Sequence, residues 1–363
     1  MAEAAGSRGI DEDVIRVPPE EIRFGVILNG GVSLAVWMGG AVLELDRLTK
    51  AEGQTGTVYG RILNAAGCKA RADVISGTSA GGINGAALAL AQVNTLADIG
   101  SLRDVWVDQG QLETLLRKPF RGSPTSLLQG DEQFLPALNA ALSRLAEPAA
   151  VRPADVAPID LTITATVLRG NQTVAVDSMG QRLPQPVHAA RFRWSRDEEK
   201  GDPFAAGSIL DTARYLALAA RGTASFPVAF EPVFVPVGRP GGAGGLDPRV
   251  LSEEQRLRPD MVDRVQDWGD ELPARDRSRY VVDGGVLANT PTRAALEAVE
   301  AMDPKGPVRR VMTGGAFGLR EPFGGPRLGF DVTFDARRPG VRGVTGHRAM
   351  ADGTCDARMG DVR

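Results

Sequence analysis

Ser79 stands in Gly77-Thr78-Ser79-Ala80-Gly81, a G-x-S-x-G pentapeptide. A serine becomes a nucleophile when a base takes its proton and donors meet the oxyanion that forms. An apolar run, Ala72-Asp73-Val74-Ile75-Ser76, leads into the pentapeptide, and a small-residue run over 82–90 leads out. This order predicts a strand, a sharp turn and a helix, the layout of a nucleophile elbow with the serine Oγ exposed at the turn. Glycines at 77 and 81 suit such a turn because side chains there would collide with the adjoining strand and helix. The helix N-terminus would direct partial positive charge at the reacting atoms. A Gly-rich link in an α/β protein without chemistry accounts for the pentapeptide alone equally well.

Two further segments could serve the serine. Residues 22–28 read as a buried strand that runs into Asn29-Gly30-Gly31-Val32-Ser33 and then an apolar helix over 34–48. A glycine pair at a strand end leaves backbone N–H groups uncovered and able to face an anion. The G-x-G-x-x-G spacing of a dinucleotide turn is absent. Far downstream, Arg279-Tyr280-Val281-Val282 ends in Asp283-Gly284-Gly285, a carboxylate at a strand terminus on a tight loop. Such an Asp can act as a base, or merely form a turn or cap a helix. The only histidines are His188, in a proline-rich stretch that reads as a loop, and His347, in a Gly/Arg-rich tail.

In this order the three segments resemble the patatin-like phospholipase family. Supporting stretches are Leu161-Thr162-Ile163-Thr164-Ala165-Thr166, similar to the family's middle strand, and Ala224-Ser225-Phe226-Pro227 with Phe230 and Pro232, similar to its segment before the catalytic Asp. The resemblance spans about residues 21–312. It implies a three-layer α/β/α fold with a mainly parallel central sheet. It also implies a metal-free, cofactor-free Ser–Asp dyad that hydrolyses lipid esters. On that basis Ser79 carries over as nucleophile, Asp283 as general base, and the amides of Gly30, Gly31 and Val32 as oxyanion hole. Gly77, Gly81, Gly284 and Gly285 carry over as elbow and loop glycines. The common family loop is Asp-Gly-Gly-Gly-x-Arg/Lys-Gly. Here Val32 replaces the third glycine, Leu34 the basic residue and Ala35 the last glycine. The longer run through Trp37-Met38-Gly39-Gly40 resembles a bacterial subgroup that carries this variation.

Composition sets outer bounds. The 363 residues, 43% of them hydrophobic, can hold one large α/β domain or two smaller ones. A formal charge of −3 and the lack of a Lys/Arg block argue against nucleic acid as a partner. Cys68 and Cys355 form neither a disulfide framework nor a zinc site. Residues 1–20 are acidic and polar, without the apolar run of a secretory leader, and read as a disordered lead-in. No stretch reaches the roughly 20 apolar residues of a membrane span. The expectation is therefore a cytoplasmic protein that meets a lipid substrate from outside, with peripheral membrane contact. Sequence leaves the oligomeric state open.

The acyl hydrolase domain is expected over 21–312. Helices are predicted over 102–116 and 134–145, and Trp37 and Met38 are expected in the core. Residues 236–279 read as an insertion, a solvated excursion or a lid. Residues 313–363 lose all periodicity, consistent with a disordered tail or a reading frame lost near Met312. Two rival functions stay open. One is a Ser-His-Asp hydrolase, since Ser79, Asp283 and His347 occur in that chain order. The other is a catalytically weak module that binds lipid or a partner, favoured by Val32 and Leu34.

Overall fold

The computed structural model describes residues 20–104, 106–107, 112–118, 126–147, 158–196, 202–235, 279–302, 308–314, 330–335 and 345–348. The expected lead-in and insertion lie almost wholly outside these residues.

Strands β1 (Glu20–Leu28) and β2 (Cys68–Gly77) run parallel, with partners from Glu20↔Cys68 to Leu28↔Gly77. The last four residues of each are buried, the signature of a parallel strand covered on both faces. β3 (Asp160–Val176) lies parallel beside β2 at its start, and β7 (Val308–Gly314) lies parallel on the far side of β1. Arg310 on β7 donates to both carboxylate oxygens of fully buried Asp73 on β2, at 2.6 and 2.7 Å. That paired charge ties the last parallel strand to the core.

Antiparallel strands extend the sheet. They are β4 (Arg182–Ser195), β5 (Val233–Val235), β6 (Arg279–Asp283), β8 (Phe330–Asp335) and β9 (Thr345–Arg348). The order is β5-β6-β3-β2-β1-β7-β8-β9, with β4 pairing β3 outside that path. Side chains alternate between two helical layers, as strand pleating requires. Val26, Leu28 and Ile75 join a core with helices α1 (Ala35–Thr49) and α3 (Ala80–Val93). Ile27 and Val74 face α8 (Thr292–Ala301), through Ala295 and Ala298. The fold is thus three-layer α/β/α. Helix α2 (Val58–Ala66), the short α4 (Leu102–Asp104) and α5 (Leu112–Leu115), α6 (Leu135–Ala146) and α7 (Ile209–Thr223) complete the described α-helices.

Several local expectations change. Over 102–116 the described residues form α4 and α5 rather than one helix. Met38 is core, whereas Trp37 on the adjacent face of α1 is 46% exposed. His188 sits in β4 and not in a loop. Pro184 and Pro186 are tolerated there because β4 pairs only with β3 among the described strands, so its other edge needs no N–H. Within 313–363, the backbone forms β8 and β9 on the outer edge of β7, where no strand pattern is legible.

The feature that builds the site is β3. β4 occupies one of its edges along 160–166, so β2 and β6 must share the other. β2 runs parallel to β3 and ends at Gly77↔Ile163, while β6 runs antiparallel and ends at Asp283↔Ala165. Their C-terminal ends therefore converge, two β3 residues apart, or about 7 Å.

Candidate active site

Ser79 begins where β2 turns into α3. Its backbone takes φ 53° and ψ −125°, a positive-φ conformation that costs a non-glycine residue about 1–3 kcal/mol. Its neighbours leave no room for side chains. A Cβ at Gly77 would run into the Gly81 carbonyl, and one at Gly81 would run into the Leu28 carbonyl at the end of β1. Thr78 N–H donates to that same Leu28 carbonyl at 3.0 Å. The elbow is thus wedged between β1 and its own helix.

Ser79 Oγ donates directly to Asp283 Oδ2 at 2.6 Å. The other oxygen, Oδ1, accepts the Gly285 N–H at 2.7 Å. Gly284 lies against Thr164 on β3, whose hydroxyl is 2.6 Å from that of Thr78. Asp283 is 2% exposed. Burial raises its pKa above the usual carboxylate value, and the hydrogen bonds from Ser79 and Gly285 offset only part of that rise. A raised pKa makes the carboxylate a stronger base than a solvated Asp.

The loop after β1 closes over the serine. Gly30 sits against it, so a Cβ there would lie 3.0 Å from the Ser79 Cβ. Gly30 N–H donates to the Asn289 carbonyl at 3.2 Å, and the Asn289 side-chain amide returns a bond to the Gly30 carbonyl at 3.3 Å. That commitment removes Gly30 from the expected donor set and makes it a fastening point. The amides of Gly31 and Val32 donate to no backbone or side-chain group among the described residues. Gly31 has φ +148°, which only glycine adopts without strain. Val32 has no such φ and is 92% exposed. Leu34, in place of a basic residue, packs into the core beneath Gly31.

Neither histidine joins this arrangement. His188 Nδ1 is 2.8 Å from the Val167 carbonyl on β3. The backbone of His347 lies on β9, paired with Asp331. β9 is four strands from β2, about 19 Å at ordinary strand spacing. Among the described residues, no group of three or more His, Cys, Asp or Glu side chains could hold a metal ion.

A family model for patatin-like phospholipase matches residues 26–296, most of the chain. The chain belongs to the patatin-like phospholipase family. A patatin-like fold and membership in a family of lipid acyl hydrolases follow. A Mycobacterium tuberculosis protein described as an uncharacterized membrane protein is 35% identical over 317 residues. The alignment covers 81% of this chain but only 27% of that relative's length. No solved structure matches the chain. Among the described residues, no helix of this patatin-like domain is long and apolar enough to cross a membrane.

Several residues at the patatin-like site escape sequence reasoning. Thr223 Oγ1 accepts the Ser79 N–H at 2.8 Å, and the Ser225 carbonyl accepts the Asp283 N–H at 3.0 Å. Asn289 fastens the Gly30 loop. The resemblance of 224–227 to a family segment marks the neighbourhood of Ser225, but nothing in residue type marks Thr223 or Asn289.

Proposed function

We propose that this chain is a serine acyl hydrolase of lipid esters that works through a Ser79–Asp283 dyad. The observation that carries the reading is the direct 2.6 Å bond from Ser79 Oγ to Asp283 Oδ2, with no histidine between them. Asp283 accepts the serine proton as Oγ attacks the ester carbonyl. The amides of Gly31 and Val32, which follow the glycine that lies against Ser79, are the donors left to meet the oxyanion. Collapse of the tetrahedral intermediate expels the alcohol, which takes the proton back from Asp283. Water, deprotonated by Asp283, then attacks the acyl-serine, and Ser79 Oγ takes that proton back from Asp283 as the fatty acid leaves. No step calls on a metal. The full chain is expected to release fatty acid from a dispersed phospholipid and from a soluble short-chain ester, in excess EDTA as well as without it. Release from neither substrate would count against hydrolysis. Activity lost to EDTA and restored by calcium would count against the metal-free dyad.

The surroundings favour approach from a lipid surface. The three segments that meet at Ser79 carry no charged residue over 29–43, 222–230 and 284–292, in a chain that is 24% charged. Val32, Trp37, Phe226, Val228, Val286 and Leu287 on these segments are all substantially exposed. Apolar exposure concentrated around a site is the mark of an interaction surface. With no basic residue in these three segments, contact rests on apolar insertion and not on anionic headgroups. In a Ser79→Ala background, the chain is expected to co-sediment with phosphatidylcholine vesicles at both low and high salt. The double change Phe226→Ser, Leu287→Ser is expected to weaken that binding by at least about tenfold. Binding that needs anionic lipid and disappears in salt would contradict an apolar docking rim.

A further inference from the structure

We infer that the turn ending α7, residues 223–225, is a clamp that sets the distance between nucleophile and base, with Arg221 as the positioning residue that holds it. The inference rests on the dyad reading above. Ser79 and Asp283 are 204 residues apart in sequence, and β6 meets β3 through only three residue pairs. That short ladder, with β5 pairing only 279–281 on the other edge, leaves the strand end at Asp283 freedom to shift. The turn removes that freedom from both sides. The Thr223 hydroxyl takes the N–H of the nucleophile at 2.8 Å, and the Ser225 carbonyl takes the N–H of the base at 3.0 Å. Both residues are fully buried. One rigid turn thus carries, two residues apart, an anchor for each member of the dyad.

Arg221 explains why the turn is rigid. Its side chain is fully buried, an environment that penalises a cation without close partners. Its partners come from the turn itself, from Phe230 and Glu231 a few residues later, and from Asp131 ahead of α6. Nη1 donates to Ser225 Oγ at 2.6 Å, and that hydroxyl donates back to the Arg221 carbonyl at 2.8 Å. Nη2 donates to the Glu231 carbonyl at 3.1 Å and lies 3.2 Å from the Glu231 carboxylate. Nε faces the Asp131 carboxylate at 3.4 Å, and the guanidinium lies 5.1 Å from the Phe230 ring centre. Burial pushes Glu231 upward, yet bonds from Ser126 and the Asp131 amide, with the Arg221 charge, bring it to about 2. The counter-ion of Arg221 is therefore ionised throughout the working pH range. The planar fork of arginine reaches the hydroxyl, the carbonyl and the carboxylate together, which lysine's single ammonium does not.

Thr223→Val is nearly isosteric and keeps the methyl that packs over α3 at Gly82, but removes the acceptor for the Ser79 N–H. The test uses the full chain, a soluble short-chain ester and a fluorophosphonate probe for Ser79. Thr223→Val is expected to lower kcat and the labelling rate by about 10–100-fold while KM stays within about threefold, as misplacement of reacting groups does. Thr223→Ser, which keeps the oxygen, is expected to restore most of the rate. Ser225→Ala cuts the link from Arg221 to the turn but leaves the carbonyl in place. It is expected to lower kcat with the same unchanged KM, and it carries the test if Thr223→Val does not fold. A folded Thr223→Val or Ser225→Ala protein with wild-type kcat and labelling would overturn the clamp. Wild-type protein that the probe does not label would instead overturn the dyad on which the clamp rests.

Discussion

Ser79→Ala is expected to abolish ester hydrolysis and fluorophosphonate labelling together, with the fold unchanged by circular dichroism. On the proposed dyad the loss is total in practice, because Ser79 Oγ is then the one atom that takes up the acyl group. Losing a nucleophile that works as one unit with its base costs on the order of 10⁶ in turnover. The same change relieves no backbone strain, since alanine meets the same penalty as serine at φ 53°. A small loss of stability is expected instead, as Asp283 keeps only the Gly285 amide as a donor. Undiminished hydrolysis by Ser79→Ala would place the chemistry elsewhere in the chain.

Asp283→Asn keeps size and shape and removes basicity. Turnover is expected to fall by at least about 10²-fold, the range for a lost general base. Stability should move the other way. Burial raises the folded-state pKa of Asp283, so the folded chain favours the neutral carboxyl. Its contribution to stability is therefore present at pH values below the unfolded pKa and lost as pH rises through the raised folded value. At neutral pH the ionised group is a liability, and the asparagine variant is expected to melt no lower than wild type. For the same reason the acid limb of the wild-type rate profile is expected above the ordinary Asp range. His188→Ala and His347→Ala are expected to stay within a few-fold of wild-type turnover. A near-inactive His347→Ala would revive the histidine triad, despite the placement of His347 on β9.

Local constraint made the core of the site legible in the sequence. The elbow announces itself because a strand, a helix and two crowded glycines must all coincide within a few residues of Ser79. Asp283 is legible for a similar reason, at the end of a β-rich run and before two glycines. Longer-range dependence hides the rest. Gly30 reads as an oxyanion donor until its amide meets Asn289, which is 259 residues away. Nothing in its sequence context marks Arg221, and only the partners brought by 225–231 and by Asp131 make it a buried cation. α8 presents Ala295 and Ala298 to the sheet, and alanine marks no face in an apolar pattern. β4 is hidden by its prolines, which an open sheet edge accepts. The fold class needs none of these, because the resemblance carried by the three ordered motifs already implies a largely parallel sheet with helices on both faces.

The central claim is that Asp283 activates Ser79 directly. The most direct measurement is the rate at which a fluorophosphonate adduct forms on the Ser79 peptide, monitored by mass spectrometry in wild type and in folded Asp283→Asn at one pH. The dyad predicts an adduct on Ser79 in wild type and a rate at least about 10²-fold slower in Asp283→Asn. An adduct on another residue, or equal rates in the two proteins, would contradict it.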